Sequence, residues 1–201
     1  MISSGKDSAI ALFDFDGTIT RKDTLFQFIL FVKGVFVSYS GFALLLPVFI
    51  LHKLKLYSNH RAKEKVFSFF FKGTSLEYLK KRGQEFTEVI NKTVNKSAIE
   101  KINWHKSKNH IVYVVTASSE LWVGEWCRQN KIKLIATSYE VYDGKITGKI
   151  KGFNCQGEEK VNRIKEVCDL SGYQHIYAYG DTKGDLPMLG LAHYKFYRKF
   201  D

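Results

Sequence analysis

Residues 11–20 read ALFDFDGTIT, an apolar run that stops at two carboxylates, Asp14 and Asp16. The run Ala9-Ile10-Ala11-Leu12-Phe13 is short and continuously apolar, as expected for a strand buried on both faces of a parallel sheet. Asp14 and Asp16 are two residues apart, so in an extended chain their side chains point the same way, roughly 6–7 Å apart. Gly17-Thr18 then breaks the strand, with Gly free to take backbone angles that other residues avoid. Carboxylates are costly to desolvate, which places them at the carboxyl end of the strand, where a parallel sheet holds its ligands. Over ten residues an acidic turn reads the same way, so the rest of the chain must decide between the two.

The second half of the chain repeats the pattern. HIVYVVTAS (110–118), KLIATS (133–138) and HIYAYGD (175–181) are strand signals, and KFYR near Lys195 reads as a short edge strand. Between them SELWVGEWCRQNK (119–131) and EKVNRIKEVCDL (159–170) carry helical spacing. Strands alternating with helices predict βαβ units and an α/β fold on a doubly wound, Rossmann-like parallel sheet. In YEVYDGKITGKI (139–150), Asp143-Gly144 between two alternating runs signals a hairpin.

The interval from 21 to 107 breaks this rhythm and reads as helical. RAKEKVFSFFFKG (61–73) ends at a Gly after a basic residue, a helix stop, and SLEYLKKRGQEFTEVINKTV (75–94) has helical apolar spacing. We expect a catalytic core of residues 1–20 plus 108–201, with 21–107 inserted as a helical cap. Within it, residues 25–51 carry a single charge, Lys33, and the 18 residues 34–51 carry none. That reaches the length of a membrane-spanning segment, but Gly34, Gly41 and Pro47 lie inside it and both flanks belong to one domain. Two readings stay open: a buried helical hairpin, or an apolar cap face lying in a membrane interface.

The 201 residues, 45% hydrophobic and 25% charged, suit one domain with an insertion and are ample for a core. Cys127, Cys155 and Cys168 form no metal-ligand spacing and read as reduced thiols of an intracellular protein, and the six His residues are scattered. The first apolar run leads straight into Asp14, so no signal peptide is expected. Net charge is +11, and between Arg21 and Lys101 there are 15 Lys or Arg against 6 Asp or Glu. A basic surface favours anionic partners: phosphorylated substrates, nucleic acid or an anionic leaflet. No nucleic-acid-binding signature accompanies the charge, so a non-catalytic basic binding module for nucleic acid is the remote alternative, and no nucleic-acid partner is expected.

Three later segments answer the opening stretch. Thr116, Ala117 and Ser118 end a second strand, where a hydroxyl and backbone N–H groups can hold phosphate oxygens. GEEK supplies Lys160, a point charge suited to a phosphoryl group, and GDTKGD (180–185) supplies Asp181 and Asp185 at the end of a further strand. In this order the chain resembles, from end to end, the haloacid dehalogenase superfamily of phosphohydrolases. The resemblance implies an Mg²⁺-dependent phosphatase in which Asp14 attacks phosphorus to form an aspartyl-phosphate and Asp16 acts as general acid, then base. It implies Mg²⁺ held by Asp14, the Asp16 backbone carbonyl and Asp181, with Asp185 orienting Lys160 and the metal shell. Thr116 and Lys160 would hold and neutralise the transferring phosphoryl.

A cap between the first and second motifs resembles the phosphoserine-phosphatase-like branch. That branch usually has Asn where this chain has Gly184, which weakens phosphoserine as substrate. FNCQGEEK (153–160) and the apolar cap run instead resemble the phosphatidylglycerophosphatase C family, implying a membrane lipid phosphate such as phosphatidylglycerophosphate. A small soluble phosphate metabolite is the alternative. Arg61 in the cap is the candidate for substrate contact. The expected location is the cytoplasmic side, either free or peripherally associated with a membrane, and the oligomeric state is not legible.

Overall fold

The computed structural model describes residues 8–200. Strand β1 (Ala9–Phe13) leads through the Asp14–Asp16 turn into six helices: α1 (Thr24–Lys33), α2 (Val35–Leu44), α3 (Leu46–Lys53), α4 (Asn59–Phe71), α5 (Leu76–Thr93) and α6 (Lys96–Ser107). Then follow β2 (Ile111–Ser119), α7 (Glu120–Gln129), β3 (Lys133–Thr137), β4 (Tyr139–Tyr142) and β5 (Lys145–Ile150). The chain closes with α8 (Glu158–Val167), β6 (His175–Gly180), α9 (Leu186–Gly190) and β7 (Tyr194–Tyr197).

Five strands form one parallel sheet in the order β3-β2-β1-β6-β7, so the α/β expectation holds and β1 is central. The direction of winding reverses beside β1, and a crevice at such a point is where parallel sheets place ligands. Alternation along β1 splits the core. Ala11 and Phe13 join a layer with Phe28, Phe86, Trp122 and Trp126, while Ile10 and Leu12 join Ile164, Met188 and Leu189 on the opposite face. All three cysteines are buried free thiols in these layers.

The inserted helices do not all sit alike. Helix α6 lies on the sheet itself, burying Ala98, Ile102 and His105, and His105 Nε2 is 3.0 Å from the hydroxyl of Tyr179 on β6. Helix α5 crosses α7 so closely that a Cβ on Gly83 would fall 1.7 Å from the carbonyl oxygen of Leu121, so only glycine fits there. The hairpin of β4 and β5 turns at Asp143 and Gly144, both at positive φ (47° and 67°), and docks on the 73–76 turn and on α4.

The apolar run 34–51 becomes α2 and α3, bent by 53° where they join. Among the described residues no single helix is long and apolar enough to cross a membrane. Helix α2 turns its small residues inward. Ser38 and Gly41 are buried, and a Cβ on Gly41 would meet the Phe70 ring at 2.5 Å. Phe42 packs with them against Phe26 and Phe70, while Val35, Phe36, Val37, Tyr39 and Leu44 point outward.

Candidate active site

The site is assembled at the carboxyl ends of β1, β2 and β6. After β1 the chain folds into a tight loop in which the Phe15 carbonyl accepts from the N–H groups of Thr18, Ile19 and Thr20. Gly17, at φ +85°, makes this loop possible, and a Cβ there would lie 2.2 Å from Oδ2 of Asp181. The loop therefore brings the β1 turn against the end of β6.

Lys160, at the start of α8, is fully buried and bridges two carboxylates. Its Nζ donates to Oδ1 of Asp14 at 2.5 Å and to Oδ1 of Asp185 at 2.6 Å. Burial pushes the Asp14 carboxyl up to about 7, against the pull of Lys160. Burial alone would lower the Lys160 ammonium, but Asp14 and Asp185 outweigh it and hold it above its ordinary value. For Asp185 burial is likewise outweighed, here by Lys160 and by hydrogen bonds from Thr182, and its carboxyl stays low. Oδ2 of Asp185 accepts from the Asp181 and Thr182 N–H groups and from the Thr182 hydroxyl.

Asp16 stands apart from this ion pair. Its Oδ1 accepts from the Thr24 N–H at 2.7 Å and its Oδ2 from the Ser118 hydroxyl at 2.5 Å. Trp122 Nε1 can only donate, and it donates to Thr24 Oγ1, which lies 3.0 Å from Ser118 Oγ. With Trp122 at one end and a carboxylate at the other, the chain runs Trp122 to Thr24 to Ser118 to Asp16. A register break between Thr116 and Ser119 in the β2–β3 pairing opens this corner, where Thr116 Oγ1 accepts from the Ser118 N–H.

Among the described residues, Asp14, Asp181 and Asp185 gather ligating atoms within 4.8 Å of one another. Three carboxylate oxygens are donors of the kind a hard divalent cation takes. Thr18 Oγ1 donates to Asp181 at 3.2 Å, fixing that carboxylate from the first motif.

These groups open into a pocket of roughly 330 Å³. Of the residues singled out from the sequence, Asp14, Asp16, Thr116, Ala117, Ser118, Lys160 and Asp185 line it, and Asp181 adjoins through the acidic cluster. Arg61 is not brought there: it is exposed on α4, while Asn59, Ala62, Lys63 and Val66 of the same helix face the pocket. Ser58, the N-cap of α4, sets that phase, and i, i+3, i+4, i+7 counted from Asn59 picks out Lys63. Lys63 Nζ donates to the Ala117 carbonyl at 2.6 Å, and burial lowers its ammonium against the raising influence of Asp16 and Asp23. Asn154 ties this helix to the core, donating to Asn59 Oδ1 at 2.8 Å and accepting from Thr137 Oγ1 at 3.0 Å. Lys63, Thr24 and Asn154 were missed in the sequence, though the helical phase of α4 carried the signal for Lys63.

The haloacid dehalogenase-like hydrolase family matches residues 11–190. The chain is 32% identical over 201 residues to Protein CicA of Caulobacter vibrioides, covering 98% of this chain and 88% of that one. It is 39% identical over 105 residues to a probable phosphatase of Mycobacterium tuberculosis, covering 51% of this chain and 36% of the relative. Among solved structures it resembles a protein of unknown function from Bordetella pertussis Tohama I, with TM-score 0.82 and 23% identity over 93% and 88% of the two chains. It also resembles a phosphoserine phosphatase with a phospho-aspartyl intermediate analogue, with TM-score 0.69 and 21% identity over 94% and 86%. At such identities the structural likeness is one of fold. The family match takes in all four motifs and most of the chain, and on that ground this protein belongs to the haloacid dehalogenase-like hydrolases, as an enzyme on a phosphatase fold.

Proposed function

We propose that the chain is an Mg²⁺-dependent phosphomonoester hydrolase working through an aspartyl-phosphate on Asp14. The observation that carries this reading is Lys160 held between Asp14 and Asp185 at the foot of the pocket, with Asp16 set aside in its own hydrogen bonds. Lys160 engages Oδ1 of Asp14, leaving Oδ2 to attack phosphorus. The bond from phosphorus to the leaving oxygen breaks, and Asp16 delivers the proton that oxygen needs. In the second step Asp16 takes a proton from water, which attacks phosphorus and frees Asp14. Thr116 and Lys160 would hold the phosphoryl oxygens, with the backbone of Ala117 and Ser118 beside them. Asp14, Asp181 and Asp185, with the Asp16 carbonyl, would hold Mg²⁺, which when bound screens the nucleophile from the anionic substrate.

As division of labour, residues 1–20 and 108–201 carry the chemistry, and the 21–107 insertion, through α1, α3 and α4, shapes the substrate end. That end favours a lipid phosphate such as phosphatidylglycerophosphate, because Leu25, Phe26, Phe49 and Val66 give the pocket an apolar wall beside its carboxylates. A small soluble phosphomonoester is the second reading, supported by the phosphoserine phosphatase likeness in fold. Phosphate release with Mg²⁺ tests both, comparing phosphatidylglycerophosphate in detergent micelles with phosphoserine and sugar phosphates. Turnover of the lipid alone supports the first reading. Turnover of a soluble phosphate with the lipid untouched overturns it.

A further inference from the structure

Helices α2 and α3 are built inside out for a surface in water. Their inner face buries Ser38, Gly41 and Leu45 and half-buries Phe42, Val48 and Phe49 against the core, while the outer face shows Phe36 at 85%, Leu44 at 71% and, just beyond α3, Leu56 at 72% exposure. Val35, Val37, Leu46, Ile50 and Leu54 are exposed with them. Such a continuous apolar surface is rare on a protein that meets only water. The charge around it has one sign. Between Asp23 and Glu64 there is no acidic residue, and five are Lys or Arg. Lys53 and Lys55 are exposed at and just beyond the carboxyl end of α3, and Arg61 is exposed on the first turn of α4.

We propose that this face docks on an anionic lipid bilayer. An apolar face edged by cations fits acyl chains beneath anionic headgroups, whereas a cationic edge would repel itself across an interface between two copies of the chain. The 53° bend and the buried anchors Ser38 and Leu45 keep α2 and α3 on the domain, so they enter as a shallow wedge. The face is continuous with the pocket. Phe49 and His52 of α3 line it, while Ile50 and Leu54 of the same segment point outward, which sets the pocket mouth at the membrane surface. The proposal rests on the lipid-phosphate reading for its purpose, and its test separates the two.

The test is co-flotation of the full chain with phosphatidylcholine vesicles, with and without phosphatidylglycerol, beside hydrolysis of p-nitrophenyl phosphate. Binding is expected to anionic vesicles and to fall with salt. Phe36→Glu, Leu44→Glu and Leu54→Glu should each weaken it by about tenfold or more, the worth of one buried apolar side chain. Lys53→Gln and Lys55→Gln should each cost about fivefold, on anionic vesicles only. All five variants should hydrolyse p-nitrophenyl phosphate as the parent does, and Asp14→Asn should float unchanged. Absence of binding to anionic vesicles, or binding indifferent to the three Glu substitutions, overturns the proposal. So does a dimer in sedimentation velocity that those substitutions dissociate. Flotation without turnover of any lipid phosphate upholds the docking and removes the lipid-phosphate reading alone.

Discussion

Lys160 is the residue on which the site balances. It is the buried cation between two buried carboxylates, and removing one partner of such an arrangement costs about 3–5 kcal/mol. Lys160→Gln should therefore lower kcat by about 10²-fold or more. It should also lower Tm in EDTA, with Mg²⁺ restoring more of the loss than it adds to the parent protein. Equal Mg²⁺ effects on the two melting curves would contradict the placement of the cation site beside Lys160. On α4, Lys63→Met should raise KM or lower kcat for p-nitrophenyl phosphate by several-fold, while Arg61→Ala leaves both unchanged. The reverse pattern would sink the assignment of Lys63 to the pocket. The sequence reading picked Arg61 and passed over Lys63, and the helical phase of α4 after its Ser58 N-cap separates them.

At the scale of elements, the parallel strands were legible because strands buried on both faces are continuous apolar runs, and Asp143-Gly144 announced its hairpin. The run 34–51 was not, because an uncharged stretch has no charged face from which to read a helical phase. Its small-residue inner face emerges only against Phe70. Helix α6 lies within the interval read as helical, but its place on the sheet was not legible, because beside Ala98 and Ile102 the contact runs through His105, a residue that sequence alone reads as polar. Burial, then His110 and Lys101, lower this imidazole to about 3. The unfolded chain protonates it below about 6.5. Each proton taken up between these values thus favours unfolding, and stability should fall as pH drops below about 6.5. In urea titrations from pH 7 to pH 4, His105→Gln should show a shallower decline than the parent; an equal decline would contradict this account. At the α5–α7 crossing, Gly83→Ala should cost about 1–3 kcal/mol in the same assay.

For the whole molecule, the order of four short motifs along one chain carried more than any motif alone. Asp14, Thr116, Lys160 and Asp181 lie far apart in sequence, yet each falls at a strand end or helix start on the same edge of the sheet, which is how the site could be read before the fold. What the sequence did not carry was the contact between cap and core, since Thr24 of the cap and Asn154 of the core act through tertiary contacts, with Trp122 and Asn59 respectively.

Hydrolysis by this site requires that Asp14 become covalently phosphorylated. The most direct measurement is borohydride trapping during turnover of a phosphomonoester with Mg²⁺, followed by mass spectrometry of the peptide holding residues 9–21. An acyl phosphate is reduced where a free carboxylate is not, so residue 14 should be recovered as homoserine in the parent, with no trapped product in Asp14→Asn, which should also release no phosphate. Sustained turnover with Asp14 recovered as aspartate, or substantial activity in Asp14→Asn, would contradict it.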